Sequence, residues 1–215
     1  MILRRMQELL ARLYDAPVEH DVEDYLLKDR QRVTALTGDE CDSDEQVVLV
    51  EERDAVRVGV FVDPAVTQRL ERCDPLACLA EDNLQDFCTA LEGVSHFHYL
   101  MWSLAHNRSV SLLELELQAD VDKYASAMVL LTQQSAGGYP ATLHQRLFHH
   151  VGFLPELPEE RRRRYEQANR YAARFCRSLE ERFLRRRQRR PEAWLAELRR
   201  FFRHAHQDKL RAVMR

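Results

Sequence analysis

The sequence predicts an α+β fold that is predominantly helical, with a small antiparallel β-sheet beside a bundle-like set of long helices. Three observations carry that expectation. Two-residue alternation is concentrated in residues 46–62, whereas apolar residues recur at three- and four-residue steps over 83–132 and 159–205. Only six glycines and seven prolines in 215 residues argue for long regular elements over a loop-rich sandwich.

Taken in order, residues 2–15 read as a helix. Ile2, Leu3, Met6, Leu9, Leu10 and Leu13 share one face, and Pro17 ends it. Tyr25–Leu27 and Arg32–Leu36 read as short N-terminal strands, and the acidic stretch 38–45 as a loop. Gln46–Glu51 and Ala55–Val62 form the hairpin, with Val56, Val58, Val60 and Val62 on one face and Arg57, Gly59 and Phe61 on the other. Asp63-Pro64 and Asp74-Pro75 each place a capping acid before a proline suited to the first helical position, so a short helix is expected after both.

Residues 83–106 form a long helix whose apolar arc carries Leu84, Phe87, Leu91, Val94, His98 and Met101. Ser111 and Glu114 match a capping box, opening a second helix to Thr132. The short link 106–110 folds the two into an antiparallel αα-hairpin. Gln133–Pro140 is the best linker in the chain. Beyond it come a short helix at 141–150, an apolar loop at 152–158 and a long helix over 159–189. That helix turns Tyr165, Ala168, Ala172, Phe175, Leu179 and Phe183 inward. Pro191 starts a last helix with Trp194, Leu198, Phe201 and Phe202 on its apolar face.

The expected organisation is an acidic α+β domain over 1–140, containing the αα-hairpin at 83–133, and a basic helical region over 141–215 packed on it. Charge draws that line. The whole chain carries −3, but residues 1–140 hold 12 Lys+Arg against 26 Asp+Glu, and residues 141–215 hold 20 against 9. Nineteen of those 20 cations are arginine, whose planar fork suits phosphates, carboxylates and aromatic faces.

Several classes drop out. No apolar run approaches the roughly 20 residues of a membrane-spanning helix, and the Met1 segment lacks the pattern of a signal peptide. Five irregularly spaced cysteines without C-x-x-C suit a reduced, cytoplasmic thiol set. There is no P-loop, GxGxxG, G-x-S-x-G, HExxH or repeated Glu-x-x-His of helical di-iron proteins. No cofactor and no metal are therefore assigned, although Glu92 and His96 share a helix face four residues apart.

Two constellations remain as candidates. On the 159–189 helix, Arg163, Arg170, Arg174, Arg177 and Arg185 fall within about 80° of arc, off the apolar seam. Such a rail suits an anionic partner, with an acidic protein preferred to a nucleic acid. His98 lies at the centre of its helix's apolar arc, where antiparallel pairing brings it within about a turn of Glu114 and Gln118. A buried His–Glu pair can work as an acid–base unit or simply fix helix register.

Arg199 and His204 have an R-x4-H spacing that resembles the short motif of helical HEPN ribonucleases. In that family a polar residue after the arginine and a paired helical dimer help build the site; here Arg200 follows. The resemblance covers six of 215 residues and assigns the chain to no family. The functional expectation is a non-catalytic interaction or accessory protein presenting an arginine-rich helical surface, with apolar helix faces able to form a homo-oligomer. A nucleic-acid-binding protein, including a helical ribonuclease, and a small enzyme centred on His98 and Glu114 are the alternatives.

Overall fold

A computed structural model describes residues 1–38, 41–52, 55–135, 140–149, 157–185 and 190–214. Helix α1 (Ile2–Tyr14) buries the predicted apolar stripe and ends on Asp15 in the left-handed region. A 3-10 turn at Val22–Tyr25 and helix α2 (Arg30–Thr37) lead into a two-stranded antiparallel sheet, β1 (Glu45–Glu52) and β2 (Ala55–Val62). Its register pairs Glu45 with Val62 and Glu52 with Ala55, which sets Glu45 at the hairpin's open end.

The two faces of the hairpin meet different partners. Val60 and Val62 enter the main core, whereas Val48 and Phe61 join Val33 of α2 and Cys41 in a small second core. This explains the correction at Arg32–Leu36, which is helix rather than strand. Asp29 Oδ1 accepts from the Arg32 N–H, Gly38 supplies the left-handed C-cap at φ 78°, and Val33 covers the sheet's second face. The other expected N-terminal strand is reduced to one parallel bridge, Leu26 to Val60.

Asp63 caps α3 (Pro64–Arg72) as expected. Asp74 forms only a turn: Oδ1 accepts from the Leu76 N–H, and the buried Asn83 side chain binds the carbonyls of Cys73 and Cys78. Those bonds satisfy backbone groups that a longer helix would otherwise need. The central pair is α4 (Leu84–Ala105) and α5 (Leu112–Gln134), with the Ser111 hydroxyl accepting from the Glu114 N–H. From Tyr99's neighbour His98 back to Val94 and on to Ser103, α4 is buried all round, so it is the centre of the molecule.

Helix α6 (Leu143–Phe148) and helix α7 (Glu159–Leu179), extended by a π turn at Glu180–Leu184, pack against α5. The last expected helix is two: α8 (Pro191–Arg203) and α9 (His206–Met214), separated where His204 turns extended at ψ 142°. The break lets α9 fold back on α7 and bury Lys209 and Val213. One apolar core takes residues from both sides of residue 140, including Tyr14, Tyr99 and Val121 with Phe175, Phe201 and Phe202. The linker expected at 133–140 and the loop expected at 152–158 fall partly outside the described residues, as do residues 186–189 at the end of the helix expected over 159–189. Among the described residues no helix is long and apolar enough to cross a membrane.

Candidate metal centre

Glu92 and His96 lie one turn apart on α4 and face the same side, as four-residue spacing requires. Glu116 comes from the first turns of α5, which the Ser111 cap holds in register beside them. One ligand atom from each of these three lies within 4.8 Å of the others. Metal bonds of about 2.1 Å would need only a small side-chain adjustment to meet at one point. Glu45 arrives from the hairpin, with Oε2 3.8 Å from His96 Nδ1. Gly93 makes room for it, since a Cβ there would sit 3.3 Å from both Glu45 Oε2 and Val62 Cγ2.

The polar atoms of this cluster are conspicuously under-used. His96 is only 8% exposed; its Nε2 lies 3.4 Å from Glu116 Oε2 but makes no hydrogen bond of normal geometry. Glu45 Oε2 and Arg164 Nε are also buried without a hydrogen bond. Buried polar atoms are nearly always satisfied, so three orphans around one point are unusual. Burial, then the charge of Glu92, pushes Glu45 up to about 8. Burial opposes the charged form of His96, but Glu116, Glu45 and Glu92 prevail and raise it to about 9. In this state the cluster holds positive charge as protons.

Two cations flank the carboxylates. Lys123 Nζ donates to Glu92 Oε2 at 2.7 Å and lies 2.8 Å from Asp120 Oδ1. Burial works against its charge, yet Asp120 and Glu92 hold it well above the usual lysine value. Arg164, from α7, places Nε 3.8 Å from Glu116 Oε1. The arrangement can bind a divalent cation through one imidazole and two or three carboxylates, a mixed nitrogen–oxygen set suited to Mn²⁺, Fe²⁺ or Zn²⁺.

His98, Glu114 and Gln118 belong to a separate buried network. His98 is 1% exposed, faces Phe202, and neither ring nitrogen makes a hydrogen bond of normal geometry. Burial pulls it down to about 4, opposed by the Ala16 backbone, so it is neutral at pH 7. Glu114 instead accepts from Tyr99 Oη at 2.5 Å and sits 3.6 Å from Arg108. Gln118 donates to Asp122, which also accepts from Tyr14 and Ser95, and takes a hydrogen bond from Lys209. Among the described residues no hydrogen bond joins His98 to Glu114.

The five arginines of the rail are all exposed, with Arg163, Arg170, Arg174 and Arg177 on α7 and Arg185 just past the π turn. Four have acceptors close by. Arg163 binds Glu159, Arg174 binds the Met214 carbonyl, and Arg177 and Arg185 both reach the buried Glu180. Arg170 lies 5.8 Å from the Tyr171 ring. Arg199 and His204 part company: Arg199 donates to the Leu13 and Arg12 carbonyls at the end of α1. His204 lines an open cleft of about 420 Å³ with Ser178, Arg182, Glu197 and Arg200. None of the residues lining that cleft belongs to the carboxylate cluster; Glu197 already pairs with Arg182 and Arg200, and Asp208 with Arg211.

Sequence reasoning found half of the cluster, the Glu92–His96 pair. It missed Glu116 and Glu45, which helix and strand pairing bring in from other elements, and it counted Arg164 only among the 19 arginines of residues 141–215. The one local hint was Gly93, a helix-weakening residue beside Glu92 in an otherwise strong helix. No protein-family model matches the chain, and no curated protein and no solved structure matches it either.

Proposed function

We propose that this chain is a divalent-metal protein of the hydrolytic kind, with His96, Glu92 and Glu116 as ligands and Glu45 as a fourth. The observation that carries the reading is the approach of ligand atoms of Glu92, His96 and Glu116 to within 4.8 Å of one another, with the buried His96 Nε2 left without a hydrogen bond. Structural zinc sites are closed by four protein ligands, whereas three or four ligands to an octahedral ion leave positions for water. A metal-bound water is a strong nucleophile near neutral pH, and this is the chemistry the ion would supply. Lys123 and Asp120 then act as the outer partners that orient Glu92.

Metal content of the purified chain and calorimetric titration of the stripped chain with Mn²⁺ and Zn²⁺ test this. One equivalent is expected, with affinity falling at least about 100-fold in His96→Ala and Glu116→Gln. Saturating ion at 100 times its Kd raises stability by about 2.7 kcal/mol. Uptake that is absent, or indifferent to both substitutions, defeats the reading.

A second reading keeps the arginine face of α7 as a docking surface for an anionic protein. What favours it is the exposure of all five arginines along α7 and the π turn that extends it. Salt-sensitive binding through Arg163 and Arg170, the two not engaged with Glu180 or the C-terminal helix, is its signature.

A further inference from the structure

We infer that the metal centre takes a phosphoryl oxyanion as ligand, and that Arg164 is the residue that recognises it. This rests on the metal reading above and adds the class of molecule the centre acts on.

Arg164 differs from its neighbours in kind. The rail arginines are exposed, whereas Arg164 is turned inward with a side chain 17% exposed and a buried Nε that makes no hydrogen bond. Among the described residues Glu116 is its only ion-pair partner, and at 3.8 Å that contact is too long for a hydrogen bond. A guanidinium buried to this degree is costly unless something accepts from it. Once Glu116 is committed to a cation, its negative charge is shared, and Arg164 is left beside the centre with its buried Nε unmet. An oxyanion bound at the ion's open positions meets both needs at once.

The chemistry favours phosphate. A guanidinium is a rigid planar fork that binds two oxygens of a phosphoryl group together, and divalent ions bridge such oxygens readily. The guanidinium of Arg164 lies 5.5 Å from the Tyr165 ring, which limits the directions its fork can take.

The experiment uses the whole chain loaded with Mn²⁺ and titrated with inorganic phosphate, with acetate as a parallel titrant. Arg164→Met and Arg164→Lys are compared with the unaltered chain, each first titrated with Mn²⁺. Expected is phosphate binding that weakens at least about tenfold in Arg164→Met and less in Arg164→Lys, with Mn²⁺ affinity within about threefold throughout. A residue that merely positioned Glu116 would give the reverse, lost Mn²⁺ affinity with phosphate binding intact, and that result overturns the inference. Acetate binding as tightly as phosphate overturns it too. Failure of the unaltered chain to bind Mn²⁺ removes the metal reading and this one together, whereas Mn²⁺ binding with phosphate affinity unchanged in Arg164→Met removes this one alone. Should Arg164→Met not fold, Arg164→Lys decides by the same comparison.

Discussion

Lys209 is the one lysine among the 20 cations of residues 141–215, and among the described residues it is the one of them that is fully buried. Its ammonium donates to Gln118 Oε1 at 2.5 Å and lies 4.1 Å from the Tyr99 ring centre, and among the described residues it forms no ion pair with a carboxylate. Arginine could not replace it, because a guanidinium does not shed its charge. Burial brings Lys209 down from the usual 10.5 to about 7, with Glu114 and Asp122 opposing and Arg108 assisting. Between those values the unfolded chain holds a proton that the folded chain has released. Lys209's contribution to stability therefore rises with pH across roughly 7 to 10.5. Lys209→Met removes that dependence. Its stability relative to the unaltered chain should be most favourable at pH 6 and fall by on the order of 4 kcal/mol by pH 10. Urea unfolding at pH 6, 8 and 10 checks this, and a constant difference would mean that Lys209 keeps its proton in the fold. Composition exposed Lys209 as an exception, but nothing local marked it as buried, because its partners lie about 90 residues away on α5.

At the scale of elements, β1 and β2, α4 and the capped start of α5 were legible because each carries its own signal: alternation, an apolar arc, or Ser111 with Glu114. Helix α2 and the α8–α9 break were not. Residues 32–36 are short enough to suit either a strand or a helix turn, and burial against Phe61 decided the matter. The metal centre falls between these cases, since α4 supplies a readable Glu92–His96 pair but the hairpin must approach to add Glu45. Gly93 controls that approach. Gly93→Ala gains about 1 kcal/mol of helix propensity. It also puts a Cβ 3.3 Å from Glu45 Oε2 and Val62 Cγ2, so the hairpin must give way by a few tenths of an ångström. The two effects oppose, leaving thermal stability within about 1 kcal/mol while Glu45 is displaced. Mn²⁺ affinity should then fall about tenfold, read by the same calorimetry as for His96→Ala. Unchanged affinity would show that Glu45 is no ligand.

Across the whole molecule the charge division at residue 140 poses one question: where the arginines of the last third find their anions. Among the described residues only Arg146 with Glu81 and Arg164 with Glu116 form ion pairs across that line. Most others pair within the basic region, as Arg182 and Arg200 do with Glu197, or bind helix-end carbonyls, as Arg199 and Arg203 do at the close of α1. The acidic two-thirds therefore leave the outer face of α7 uncovered, and its field is open to solvent. If an anionic partner uses it, Arg163 and Arg170 are the residues to reverse, because Glu180 and the end of α9 depend on Arg177, Arg185 and Arg174. Arg163→Glu with Arg170→Glu should leave stability within about 1 kcal/mol, as exposed pairs contribute little. Retention on heparin, a polyanion, should drop to a markedly lower salt concentration. Flow-through of the unaltered chain at low salt would remove the docking reading and leave the outer arginines of α7 as a solvated helix face.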